Sequence, residues 1–100
     1  MNFQEFKASV ANKDLAAPPA GLSKSLQALW FSHRGDWDHA HTLAQEADSA
    51  DGDWVHAYLH RVEGDPANAS YWYHRARKPV CTDSLPLEWE AIAAALTSEA

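Results

Sequence analysis

Cysteine, basic residues and long apolar runs are all scarce in this 100-residue chain. The single cysteine, Cys81, excludes an internal disulfide and is typical of a reducing compartment, so we expect a cytoplasmic protein. Eight Lys and Arg stand against 14 Asp and Glu, and the net charge of −6 argues against nucleic acid or an anionic membrane as a partner. No apolar run approaches the roughly 20 residues of a membrane span, and residues 1–20 lack the apolar stretch of a secretory signal.

β-branched residues are scarce as well, with four Val and one Ile, whereas 19 Ala and nine Leu dominate the apolar positions. Ala and Leu lead the helix-propensity scale and β-branched residues favour strands, so the composition predicts an all-α fold. Five Trp and three Tyr supply side-chain volume, and we expect their rings to pack against alanine faces of helices. One hundred residues are enough for one core, so we expect a single helical domain.

Capping and helix-breaking residues divide the chain into four segments. Asn2 followed by Glu5 is a capping-box pattern, which predicts a short first helix. Gly35 and Gly64 each end a helix, and the Asp that follows each glycine caps the next helix. Between the two resulting hairpins we expect a turn-rich joint at 48–53. The segments are an N-terminal helix with a Pro-rich linker (1–20), a first hairpin (22–50), a second hairpin (51–78) and a C-terminal amphipathic helix (85–99).

The segment around Gly35 recurs around Gly64, 29 residues later. Each glycine is preceded by an alanine seven positions earlier and followed by alanines five and twelve positions later. Small residues at matched positions let stacked helices approach closely. The matched stretches start with GDWDHA at 35–40 and GDPANA at 64–69. Because of these two matched stretches, the chain resembles the tetratricopeptide-repeat superfamily over about residues 22–78, as a short stand-alone member of unknown activity.

This resemblance implies two antiparallel helical hairpins, flanked at both ends by capping helices. The period of 29 is shorter than the roughly 34 residues typical of the superfamily, and two units are fewer than the about three that stability normally needs, so we expect the terminal helices to act as caps. The resemblance also implies binding of a protein or peptide. A second copy of the chain is another candidate partner, because a homodimer would cover the open ends of a two-repeat stack.

In the register of that superfamily, side chains of the second and fourth helices would line a concave face. An aromatic face that also carries an arginine is suited to docking a peptide or an acidic side chain. The opposing interpretation is that the aromatic rings only fill a core otherwise made of alanine, and the sequence leaves both open for Trp54 and Tyr58. The predicted partner-binding residues are Trp54, Tyr58, Arg61, Leu29 and Ser32.

His56 and His60 stand four residues apart, so they share a helix face and could bind one metal ion together. Zinc would need a third ligand; the candidates are His33, His74, Asp53 and Glu63. The alternative is structural, because a neutral histidine inside a helical stack can satisfy both ring nitrogens with hydrogen bonds. His39 and His41 stand two apart and so on different helix faces, and we interpret them as surface or interface residues.

Nothing in the sequence points to catalysis. Cys81 has no histidine placed in sequence to activate it, and the four glycines are too scattered for a phosphate-binding loop. The histidine pair also lacks the glutamate of the His-Glu-x-x-His metalloprotease motif. The chain is therefore predicted to be a small interaction module. Binding of a divalent transition metal such as zinc, nickel or copper by His56 and His60 is the alternative function, and no other cofactor is expected.

Overall fold

A computed structural model describes residues 1–98, and every regular element among them is an α-helix. The all-α prediction is thereby confirmed. The predicted last helix ended at residue 99, which lies outside the described residues. The helices are α1 (Phe3–Ala11), α2 (Lys24–His33), α3 (Trp37–Ala47), α4 (Ala50–Val62), α5 (Pro66–Ala76) and α6 (Leu85–Ser98).

Polar side chains cap the first five helices. Each accepts a hydrogen bond from the backbone N–H three residues further on, which satisfies a donor that the helix itself leaves free. The predicted capping box is present, because the Glu5 carboxylate also accepts the backbone N–H of Asn2 at 3.0 Å. The capping residues are Asn2, Ser23, Asp36, Ser49 and Asp65.

The turns from α2 to α3 and from α4 to α5 have the same geometry. Gly35 and Gly64 adopt φ values of +81° and +83°, a left-handed conformation that glycine takes without steric cost. Asp36 and Asp65, which follow them, have similar backbone angles (φ −96°, ψ 74° and φ −117°, ψ 78°) and cap the next helix in the same way. The 29-residue repeat of the sequence is therefore also a repeat of backbone conformation at these turns.

The joint between α3 and α4 is shorter than predicted. We expected residues 48–53 to be irregular, but α4 already begins at Ala50. Ser49 caps this end, and Asp51 and Asp53 lie in the first turn, where their negative charges favour the positive end of the helix dipole. The acidic residues that resemble a loop in the sequence are thus a helix start.

Gly52, in the first turn of α4, marks a close approach to α3. A Cβ atom at this position would lie 2.7 Å from Cβ of Ala47 and 2.9 Å from the carbonyl oxygen of Ala44. Real Cβ atoms do not approach backbone atoms this closely, so the contact between α3 and α4 requires glycine here.

The helices pack as the pairs α2–α3 and α4–α5, with α3 also against α4, and α6 returns to contact α1, α2 and α4. The matched alanines lie at these contacts: Ala28, Ala40 and Ala57 are fully buried, and Ala69 is 2% exposed. Large rings fill the remaining core, Trp30 among them. Within residues 1–98, no helix combines the length and apolar character needed to cross a bilayer.

Candidate metal centre

The face of α2 and α4 that was predicted to bind a partner is covered by α6. Leu29 is fully buried, and its carbonyl oxygen accepts a hydrogen bond from Nε1 of Trp89 at 2.9 Å. Tyr58 is 6% exposed. Both are therefore core residues, which corrects their predicted placement on an open surface. The physical reason is that the C-terminal helix provides apolar surface for this face within the same chain.

Arg61 of α4 contacts α6 and the loop that precedes it. Its Nη1 donates to Oε1 of Glu88 at 2.5 Å, and its Nη2 donates to the carbonyl oxygen of Asp83 at 2.5 Å. The hydroxyl of Tyr73 donates to the second oxygen of Glu88, which is 3% exposed. The buried carboxylate is thus held by a cation and a phenol, and this network fastens α6 to α4 and α5. This network was not predicted from the sequence.

The remaining two predicted partner-binding residues lie apart from one another. Ser32 lines a groove of about 450 Å³ together with Tyr58 and Trp89, whereas Trp54 lines a different groove of about 300 Å³ beside Lys78. The Nζ atom of Lys78 stands 4.3 Å from the centre of the Trp54 ring, a cation–π contact. The five residues therefore do not form one open surface.

His56 and His60 are brought together with His41, which comes from α3. Nε2 of His56 lies 2.9 Å from Nε2 of His41, and one ring nitrogen of each of the three histidines lies within 4.8 Å of the others. His56 and His60 are 1% and 6% exposed, and His41 is partly exposed. Tetrahedral zinc at about 2.0–2.1 Å from its ligands separates two nitrogens by about 3.3 Å. The nitrogens of the three histidines therefore lie within about 1.5 Å of the separations that one such ion requires.

Glu63 fixes the proton of His60. Its Oε1 lies 2.5 Å from Nδ1 of His60. An ionised carboxylate only accepts hydrogen bonds, so the ring proton sits on Nδ1 and the lone pair on Nε2. A carboxylate on the second nitrogen of a metal-binding histidine orients the ring and raises its basicity. Glu63 was a candidate third ligand from the sequence, but its contact is with the Nδ1 side of His60.

The other candidate third ligands have contacts elsewhere. Oδ2 of Asp53 lies 3.6 Å from Nε of Arg75. The His33 ring packs on Trp89 with the ring centres 4.8 Å apart, and His74 is exposed. None of these residues shares a group of mutually close ligand atoms with His56 and His60.

Two tryptophans stack on the histidines. The Trp37 ring lies parallel to His41 with the centres 4.7 Å apart, and the Trp72 ring lies parallel to His56 at 3.7 Å. Nε1 of Trp37 donates to the carbonyl oxygen of Leu59 at 2.8 Å. The indole rings therefore cover faces of the imidazoles with apolar surface and orient them without competing for their lone pairs.

Burial, which is the largest cause, and the neighbouring His41, His60 and Arg75 together lower the pKa of His56 to about 3. Burial also lowers the pKa of His41, with His60 acting in the same direction. Both rings are neutral at pH 7 because charging them would place positive charges side by side in a buried cluster. In the 2.9 Å hydrogen bond between His41 and His56, one of the two facing Nε2 atoms carries a proton, so an ion bound to both atoms would require that ring to carry its proton on Nδ1 instead.

Nδ1 of His56 is buried without a hydrogen-bond partner. A histidine that serves packing alone is expected to satisfy both ring nitrogens, because a buried polar atom without a partner destabilises the fold. The structural interpretation of this histidine therefore leaves one nitrogen unexplained. Its other nitrogen, Nε2, faces His41.

His41 is the member of the histidine cluster whose position differs from the prediction. His39 and His41 do point in different directions, and His39 stacks on Phe31 with ring centres 3.8 Å apart and stays half-exposed. His41, however, turns toward α4 rather than toward the surface. The sequence did carry a signal, since Trp37, His41 and Ala44 follow one another at spacings of four and three residues and so share a helix face.

No protein-family model, curated protein or solved structure matches this chain.

Proposed function

We propose that the protein binds one divalent transition-metal ion through His41, His56 and His60. The observation that carries this proposal is the convergence of three imidazole nitrogens, from two different helices, within 4.8 Å. Two further features support it. Glu63 leaves the lone pair of His60 on Nε2, and the low pKa of His56 keeps that ring neutral at pH 7. The cluster therefore has the chemistry of a ligand set prepared for a metal.

The donor set restricts the kind of metal. Imidazole nitrogens suit Zn²⁺, Cu²⁺, Ni²⁺ and Co²⁺, whereas Mg²⁺ and Ca²⁺ require oxygen ligands. Among first-row ions Cu²⁺ binds such a site most tightly in solution, so the metal bound in the cell also depends on supply. We expect Zn²⁺, Ni²⁺ and Cu²⁺ to bind and Mg²⁺ to leave the protein unchanged.

Thermal unfolding of metal-stripped protein with each ion tests the proposal. An ion that binds only the folded state, at a hundredfold excess over its dissociation constant, adds about 2.7 kcal/mol and raises the melting temperature of a domain of this size by roughly ten degrees or more. His41→Gln removes the partly exposed ligand and leaves the two buried rings in place. His39→Gln is the matched control, because it removes a histidine two residues away on the same helix that lies outside the cluster.

The expected result is a rise in melting temperature for the wild type and His39→Gln, and none for a folded His41→Gln. The proposal is wrong if none of the three transition-metal ions stabilises the wild type. It is also wrong if His41→Gln, verified as folded by circular dichroism, keeps the full rise.

For the architecture, we propose that the pairs α2–α3 and α4–α5 are two tetratricopeptide-like hairpins, with α1 and α6 as caps. The shared φ values at Gly35 and Gly64 and the buried matched alanines support this proposal. Binding of a protein or peptide by such a module stays a prediction, as does the cytoplasmic location. Of the predicted partners, a second copy of the chain is the one most easily tested, because sedimentation of the metal-free protein over a wide range of concentrations detects a homodimer.

A further inference from the structure

The three histidines leave a four-coordinate ion one ligand short. Structural zinc sites have four protein ligands, whereas catalytic sites have three and keep the fourth position for water or substrate. Within residues 1–98, no fourth His, Cys, Asp or Glu places a ligand atom within 4.8 Å of all three nitrogens. The ion would therefore take its fourth ligand from outside this set.

The nearest aromatic neighbours cannot supply that ligand. Trp37 and Trp72 stack on two of the imidazoles, and an indole offers a hydrogen-bond donor but no lone pair for a metal. The Nε1–H of Trp37 is already bonded to the backbone of Leu59. These rings shape the site and leave its fourth position without a protein ligand.

Glu63 is an acidic side chain that contacts the cluster directly. Its carboxylate is bonded to Nδ1 of His60 at 2.5 Å. Moving it onto the ion would break this charge-assisted bond and release the His60 ring from its orientation. In its present position Glu63 therefore supports a ligand rather than acting as one.

We propose that the ion held by His41, His56 and His60 keeps a fourth coordination position that exchanges small ligands, with water there at rest and a small anion when one is present. This inference rests on the proposed metal-binding function. Three neutral imidazoles place no negative charge directly on the ion, which favours an anion as the incoming ligand. The partial exposure of His41 gives this side of the cluster a route to solvent.

Substitution with Co²⁺ and titration with azide tests the proposal. The visible absorption of Co²⁺ reports its coordination number and ligands, so metal binding and ligand exchange are read from one spectrum. Co²⁺ is added to metal-stripped wild type and to Glu63→Gln, and azide is then titrated into each. His39→Gln serves as the control outside the cluster.

We expect Co²⁺ to give a four-coordinate spectrum that azide converts to a second spectrum with one-to-one saturation, in the wild type and in the control. Glu63→Gln should bind Co²⁺ more weakly and show the same azide response. If Co²⁺ binds but azide changes nothing in the wild type, the fourth position is closed and this inference is overturned while metal binding stands. The inference is also overturned if only Glu63→Gln responds to azide, because Glu63 is then the fourth ligand. If Co²⁺ does not bind, the proposed function itself is wrong.

Discussion

The metal-free protein should lose stability steadily as the pH falls below about 6.5. His56 stays neutral in the folded protein, where burial lowers its pKa to about 3, but in the unfolded chain it takes up a proton near its ordinary pKa of 6.5. The unfolded state then binds more protons than the folded state, so protons favour unfolding. The effect begins as the pH falls through about 6.5 and continues toward pH 3.

The magnitude follows from the linkage between protons and folding. One proton bound only by the unfolded chain costs about 1.4 kcal/mol of stability per pH unit. Between pH 7 and pH 5 this amounts to about 2 kcal/mol from His56 alone. The lowered pKa of His41 adds a contribution of the same sign. For a protein of this size, about 2 kcal/mol is a large part of the total free energy of unfolding.

Urea unfolding at pH 7, 6 and 5, with a chelator present, measures this loss. His56→Gln does not titrate at this position, so its stability should fall less steeply between pH 6.5 and 5. His39→Gln removes an exposed histidine and should keep the wild-type slope. If the free energy of unfolding of the wild type stays constant from pH 7 to pH 5, the prediction is wrong, because His56 would then titrate alike in both states.

Three further changes test contacts between the helices and the support of the histidine cluster. Replacing glycine by alanine stabilises an unhindered helix position, but Gly52→Ala should lower the free energy of unfolding in urea by about 1–3 kcal/mol because the added Cβ would overlap α3. A more stable Gly52→Ala variant would contradict the close approach of α3 and α4. Glu63→Gln should weaken Zn²⁺ binding about 10–100-fold in calorimetry, since the ring of His60 loses its carboxylate; an unchanged affinity would remove Glu63 from the site. Arg61→Met should lower the free energy of unfolding by about 3 kcal/mol, because Glu88 stays buried without its cation. Glu88→Gln should lower it less, because this variant buries no charge, and equal losses of stability would argue against the ion pair.

Most of the helical framework was predictable from the sequence because its determinants are local. Asn2 and Glu5 form their capping box within one turn, and Gly35 and Gly64 adopt the positive φ that ends a helix. The start of α4 was predicted too late, because the acidic residues after Ser49 resemble a loop. These acidic residues lie in the first turn of a helix that Ser49 caps, and Gly52 in the same turn contacts α3.

The candidate site was half predictable, for the same physical reason. His56 and His60 lie on one helix, and their spacing alone places them together. His41 reaches them only through the packing of α3 on α4, which the close approach at Gly52 permits and which a helix considered alone does not contain. The covering of Leu29 and Tyr58 by α6 is likewise a contact between distant segments, so the sequence pattern left that face open.

Equilibrium dialysis of metal-stripped protein against Zn²⁺, followed by elemental analysis, tests the central claim most directly. We expect one Zn²⁺ per chain for the wild type and for His39→Gln, and loss of tight binding for His41→Gln when circular dichroism shows that this variant is folded. Absence of stoichiometric Zn²⁺ in the wild type, or one ion per chain retained by His41→Gln, would contradict it.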